Sequence, residues 1–596
     1  RITTPKGEYI AAVVRHEGRS AGDILTDALA DAFAAISWKR SMRWGWSTQT
    51  FARPVQWIVA LLDSDVLDIS YGDATSGRET RGHRFLAPEN ISLASPDNYV
   101  EVLRAAKVMV DIDERRSTIK AGLDALVADR DGNIVHSDAL LNEVTQLVEW
   151  PVPLLGEFPP ALLEVPREVL ITSMGTHQRY FAVETAPGQL TNAFAFISNM
   201  IVEDPSVVVA GNLRVLLARL DDAKFFFRED QKTPFTERAA GLSTIRYIEG
   251  LGSVRDRVTR IAALSARLCD LLYPGDAETK THACRAAALC KSDLSTGMVY
   301  EFPELQGTMG RYYAIAADEA PQVAAAIEEH YMPKGASDDV PPSKAGVVVA
   351  IAEKLDALAG CFALGLVPTG SADPYGLRRA ALGTIRTLID HTHRADLGAL
   401  LAAAYDQLPE GKLRGKDETV TAATEFTLGR LRAYLGANSP TDIVDAVLAT
   451  LGDALPSAGP RIAALQSMRE DSAFEPLAAG YKRAVNIVTK AIEAGDVTAE
   501  AVAQTANAAL LNEPSEKALA HALAAAEPIV KGAIADEDFA AAAAALIGLK
   551  QPIDTFFDDV MVNVEDTALR DNRLTLLASI RDLFLLFADI GRIQVG

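Results

Sequence analysis

The run HACRAAALCKSDLSTGMVYEFPELQGTMGRYY, His282–Tyr313, decides how most of the chain is read. It opens on alanines, the strongest helix formers. The same alanine-rich helical grammar reaches upstream to about Thr233 and downstream to the end of the sequence. Pro-Gly-Ser breaks interrupt it at 334–342, 408–416 and 456–460. Everything beyond Thr233 is therefore expected to be almost entirely helical. One late helix is expected to begin at Asp536, Glu537 and Asp538, whose charge suits a helix start, and to end at Pro552. Before about Phe227 the pattern changes. Residues 8–14, 56–62 and 193–197 suit strands, while 100–126 carries apolar residues at helical spacing. The expected fold class is multidomain and mainly α, with an N-terminal α+β region.

A length of 596 residues implies about three to five domains at roughly 150 residues each. With 49% hydrophobic and 23% charged residues the chain has the apolar surface to build cores, which excludes wholesale disorder. Acids outnumber bases 80 to 58, a formal charge of -22, so the average surface repels phosphate and DNA is not an expected partner. The longest apolar run noted, 539–549, is mostly alanine and shorter than the about 20 residues that a bilayer needs, so no membrane span is expected. Four cysteines without a CxxC pair indicate neither a disulfide framework nor a zinc ribbon, and fit a reducing cytoplasm. Because it opens on Arg1 with no initiator Met and no signal-peptide pattern, the sequence reads as a fragment of a longer protein.

Absent motifs narrow the chemistry. There is no GxxxxGK[ST] phosphate loop, no GxSxG elbow, no HExxH zinc helix and no HIGH or KMSKS signal. His391 and His393, two apart, point to different faces of a helix and make a poor metal pair. No catalytic residue and no metal ligand is therefore assigned. Basic groups are more informative. Residues 32–62 carry Lys39, Arg40, Arg43 and Arg53 without one acid, interleaved with Trp38, Trp44, Trp46 and Trp57. Such a mixture either packs as core or stacks on bases and holds phosphates. On the helix around 211–227, Phe225, Phe226 and Phe227 are expected to pack inward. Near the C-terminus, Lys482 and Arg483 precede a helix carrying Arg570, Arg573 and Arg581. Arg570 and Arg573 share a side, either pairing with Glu565, Asp566 and Asp571 or gripping RNA phosphates. Arg378 and Arg379, at a helix start after Pro374, are further candidates for backbone contact.

Helices bearing His282, Asp293 and Asp356 in this order resemble the HD phosphohydrolase domain, whose metal site uses a His, a His-Asp doublet and a distal Asp. Here Ser292 precedes Asp293, and a hydroxyl substitutes poorly for imidazole at a transition metal. A degenerate HD-type helical domain used for binding is expected; a working metal-dependent phosphohydrolase is the alternative.

The blocks MRWG (42–45), RGHRF (81–85), LVEWP (147–151), HQRYF (177–181), EFPELQGTMGRYY (301–313), DPYGLRRAALG (373–383) and FFDDVMVNVED (556–566) run in order through the whole chain. Together they resemble the beta subunit of the bacterial tetrameric glycyl-tRNA synthetase, whose members begin roughly one hundred residues earlier. The resemblance implies a B3/B4-like α+β region at 1–232, the degenerate HD-like domain at 233–395 and a helical body at 396–480. It further implies a helical anticodon-binding domain of the arginyl-synthetase kind at 481–596, with TALR at 567–570 where the signature has DALR. It implies tRNA(Gly) and an alpha subunit as partners, in an assembly of two alpha and two beta chains. Glycine activation with ATP and Mg would occur in alpha, and this chain would bind no cofactor of its own. Lys482, Arg483, Arg570, Arg573, Arg378, Arg379 and Arg43 are the expected tRNA contacts. A tight glycine pocket rejects every larger side chain by overlap, so no editing is expected of the B3/B4-like region. A non-enzymatic assembly scaffold is the remaining alternative.

Overall fold

The computed structural model describes residues 2–4, 7–9, 18–130 and 132–594. Two compact units divide the chain, Arg1–Phe227 and Arg228–Gly596.

The first unit is built on an antiparallel sheet. Helix α1 (Ile112–Val127) is followed by β1 (Asn133–Ile134), α2 (Asp138–Leu147), β2 (Val152–Glu157), β3 (Phe181–Ala186) and β4 (Gln189–Ser198), in the strand order β1-β3-β4-β2. Asp111 caps α1 by accepting from the Glu114 N–H at 2.9 Å, and Ser137 caps α2 from Leu140. The α1 residues Ile119, Leu123 and Val127, four apart, lie on one face and join Val144, Phe181, Val183 and Ala195 in the core. Gly156 is required here, because a Cβ on it would come within 2.6 Å of the Phe194 ring.

The strand expected at 193–197 lies within β4. The one at 56–62 is broken into Ile58–Val59 and Leu61–Leu62, which pair with different partners. Of the strand expected at 8–14, Gly7–Tyr9 is extended and residues 10–14 lie outside the described residues. The helical stretch 100–126 is two helices, Tyr99–Ala105 and α1; Lys107, at φ 63°, turns the chain between them.

The second unit is helical apart from one two-stranded ribbon among its described residues. Its first part contains α3 (Val254–Leu272), α4 (Ala277–Leu289), α5 (Lys344–Ala363), α6 (Leu377–Asp390) and α7 (Lys416–Gly436). A capping box between Ser253 and Asp256 starts α3. Helix α5 is apolar around most of its circumference and buried along almost its whole length, with α3, α4, α6 and α7 packed against it.

The last part comprises α8 (Phe474–Glu493), α9 (Pro514–Ala535), α10 (Phe539–Ile547), α11 (Lys550–Asp559) and α12 (Thr567–Leu585). Asp538 caps α10 through the Ala541 N–H. Pro552 does not terminate α10. It sits in the first turn of α11, where a missing N–H removes no intrahelical bond. Helix α9 is long and apolar enough, by length and composition, to cross a membrane. Within the unit, however, its Leu519, Leu523 and Val530 are buried and its Glu516 holds an arginine of α12.

Candidate nucleic-acid interface

The C-terminal arginines have different fates. Arg573 is 5% exposed; its Nε donates to Glu516 Oε1 of α9 and its Nη1 to the Met561 carbonyl at 2.7 Å. Glu516 is completely buried and also accepts from the N–H groups of Asn512 and Glu513, so this pair ties α12 to the start of α9. The expectation that Arg573 contacts RNA is corrected: its guanidinium is consumed inside the protein. Arg570, half-buried, donates to Asp571 at 3.0 Å and to the Asp496 carbonyl at 3.1 Å. Asp566 caps α12 through Ala568 and Leu569 instead of pairing with an arginine. On α8, Arg483 is exposed, its guanidinium 4.3 Å from the centroid of the Phe557 ring. Lys482 is half-buried and donates to the Ile593 carbonyl at 2.7 Å.

In the first unit Arg43 is exposed. So are Trp38 and Trp57, and Trp46 is 99% exposed, so the core reading fails for these rings. Trp57 carries the Arg81 guanidinium 5.2 Å from its ring centroid. Trp44 is half-buried, against Tyr71. Phe225, expected to pack inward, is 58% exposed. Arg378 and Arg379 stand in the first turn of α6. Arg378 donates to the Gly370 and Ala372 carbonyls at 2.6 and 3.4 Å, and Arg379 is exposed.

His282, Asp293 and Asp356 do not gather. No group of three His, Cys, Asp or Glu side chains able to hold a metal occurs among the described residues. His282 is half-exposed on α4. Asp293 is fully buried, its Oδ2 accepting from the N–H groups of Gly307 at 2.6 Å and Gly310 at 3.2 Å. Burial raises its pKa, against the pull of those N–H groups and of Lys291. Asp356 lies between two guanidiniums: Arg260 donates from Nε to Oδ1 at 2.6 Å, and Arg257 donates from Nε to Oδ2 at 3.3 Å. One turn earlier on α5, Glu353 takes Arg257 at 2.8 Å and the Lys291 ammonium at 3.1 Å. Burial opposes its ionisation, but the charges of Lys291 and Arg257 outweigh that and hold Glu353 far below the usual carboxylate range. Protein cations thus neutralise these two carboxylates, and of them Asp356 stands at a position that would serve the metal in a phosphohydrolase. Arg257, Arg260, Lys291 and Glu353 were missed in the sequence. The available signal was two bases three apart on α3 facing two acids three apart on α5.

A terminal helical module with its cations on α8 and α12, behind a long first part without an activation motif, is the layout of a tRNA-handling subunit of an aminoacyl-tRNA synthetase. The family model for the DALR anticodon binding domain matches residues 477–587, TALR included, and that for the glycyl-tRNA synthetase beta subunit matches residues 1–449. The chain belongs to the glycyl-tRNA synthetase beta subunit family. It is 43% identical to the glycine–tRNA ligase beta subunit of Myxococcus xanthus over 599 aligned residues, covering 100% of this chain and 84% of that relative. The corresponding protein of Trichlorobacter lovleyi is 40% identical, with 99% of this chain and 84% of the relative covered. That of Geobacter sulfurreducens is 42% identical, with 95% and 80% covered. The chain is accordingly an aminoacyl-tRNA synthetase subunit carrying an anticodon-binding domain.

Proposed function

We propose that this chain binds tRNA(Gly) and supports ATP-dependent attachment of glycine to the 3' end, beside a separate alpha subunit that forms the adenylate. Two alpha and two beta chains make up the assembly, which works in the cytoplasm. ATP and Mg act in alpha, and this chain holds neither. The observation that carries the reading is the tandem of the two matched regions, 1–449 and 477–587, along one polypeptide. Arg483, Lys482 and Arg570 serve the anticodon side, Arg378 and Arg379 the RNA backbone against the HD-like helices, and Arg43 the B3/B4-like region.

The test is a charging assay with glycine, ATP and tRNA(Gly), comparing alpha alone with alpha plus beta. Glycyl-tRNA is expected only when both are present, and equal charging by alpha alone overturns the proposal.

A further inference from the structure

Helices α6 and α7 pack together and leave a cleft of about 280 Å³ whose wall includes Gly335, Arg378, Arg379, Leu382, Arg430 and Tyr434. Most guanidiniums nearby already donate to acceptors of the protein. Arg378 holds the Gly370 carbonyl, Arg386 donates to the carbonyls of Gly335 and Ala336, and Arg432 pairs with Asp445. Arg379 and Arg430 differ: neither forms an ion pair with a carboxylate among the described residues. Two uncommitted guanidiniums on facing helices stand out in a chain with a charge of -22. Asp338 is close to Gly335 of the wall, its Oδ2 3.5 Å from where a Cβ would stand.

The positive potential comes from side chains. Asp373 already accepts from the Leu377 and Arg378 N–H groups at 2.9 Å, which closes the start of α6 to another anion. Arg379 lies over Gly376, at φ 68°, where a Cβ would meet Nη2 at 3.0 Å. The guanidinium is thus folded back over the start of α6, and Arg379 lines the cleft.

We propose that Arg379 and Arg430 clamp one phosphodiester of bound RNA, with Tyr434 packing against the neighbouring ribose or base; this rests on the tRNA-binding reading above. Guanidinium forks match phosphate oxygens in geometry, and a ring that is 43% exposed offers a face to a nucleoside. At about 280 Å³ the cleft falls just below the ~300 Å³ at which pockets begin to enclose a drug-sized ligand. It suits a phosphate and its sugar on a passing strand better than a whole free nucleotide.

The test compares the full chain with a variant carrying Arg379→Gln and Arg430→Gln, measuring tRNA(Gly) binding by fluorescence anisotropy from 50 to 300 mM salt (an about sixfold range over which phosphate contacts are resolved). Binding is expected to weaken on the order of tenfold, and the log–log salt slope to flatten by about one. A melting curve superimposable on the parent's shows that the variant folds. A second variant, Arg430→Lys, is expected to recover most of the slope. Parent binding with an unchanged variant overturns the clamp alone; a parent that binds no tRNA overturns the clamp and the tRNA reading together. Inorganic phosphate and a free mononucleotide are titrated in parallel. Saturable binding of either that the variant loses, with tRNA affinity unaltered, assigns the cleft to a small anion and also overturns the proposal.

Discussion

Arg260 places its Nε 2.6 Å from Oδ1 of Asp356 and its Nη2 3.2 Å from Oδ2, a two-pronged pair between α3 and α5 in which both residues are at most 6% exposed. A buried carboxylate held this way is already neutralised by protein cations, and losing Arg260 leaves it with only the longer Arg257 contact, at 3.3 Å, in a poorly polarisable interior. Arg260→Met is therefore expected to cost about 3–5 kcal/mol of stability, measured by denaturant unfolding. Millimolar Mg or Mn should leave the parent's melting temperature unchanged. A metal-dependent rise in that temperature would show that the carboxylates are open to an ion after all.

The lysine next to this cluster predicts a pH dependence. Lys354 donates to the Met332 carbonyl at 2.6 Å, and burial lowers its pKa from 10.5 to about 8, a shift Glu353 opposes and Lys291 and Arg257 reinforce. Its folded pKa lies below its unfolded one, so between these values the unfolded chain holds the extra proton. The Lys354 contribution is then least favourable below about pH 8 and improves as pH rises toward 10.5. Cys269, Cys290 and Cys361, whose thiols burial pushes up to about 12, act in the opposite sense as pH passes their unfolded value. The difference between Lys354→Met and the parent isolates the lysine. The stability of the variant relative to the parent is expected to fall as pH is raised from 8 to 10.5; a flat difference would mean that Lys354 stays charged in the folded protein.

Arg570 and Arg573, three apart on α12, separate stability from binding. Arg573→Ala leaves Glu516 buried without its guanidinium and is expected to destabilise the protein by about 3–5 kcal/mol. Arg570 is half-buried and pairs with Asp571, partly in solvent, so Arg570→Ala is expected to cost less than about 1 kcal/mol. Thermal melts of the two variants check this order. Equal, small losses would place Arg573 at the surface.

How far these features were legible depends on the range of the interaction that makes them. Local rules sufficed for the helical second unit and for β4, whose alanine and phenylalanine run is buried on both faces. They failed for Arg573, because its partner Glu516 is 57 residues away and sequence spacing reports only neighbours on one helix. They failed for Pro552, because a proline that ends one helix and a proline in the first turn of the next look alike until the cap at Leu549 is seen. Whether Trp46 packs or stands free is open in the sequence for a related reason. Apolar character says that a ring gains by burial, yet which rings are covered is set by tertiary neighbours such as Tyr71 beside Trp44. The Arg379 and Arg430 cleft joins residues 51 positions apart in the sequence, and of its wall only Arg378 and Arg379 stand out locally, as a charged pair at a helix start.

The first unit contains a cleft beside α2 and β3, of about 380 Å³, lined by residues including His136, Ser137, Glu143, Thr176, Arg179 and Tyr180. Its polar groups raise the question of whether this region removes a wrong amino acid from tRNA. Arg179 donates to Glu143 at 2.7 Å, so the guanidinium and the carboxylate of the cleft satisfy each other. Selection logic points the same way. A second, hydrolytic site is needed where a smaller competitor fits the first, and no amino acid is smaller than glycine. Incubating this chain with alanyl-tRNA and with glycyl-tRNA is therefore expected to release amino acid from neither faster than buffer does, as measured by loss of acid-precipitable label. Accelerated release from alanyl-tRNA that Glu143→Gln abolishes would establish an editing site in this cleft and refute the assignment of the region to binding.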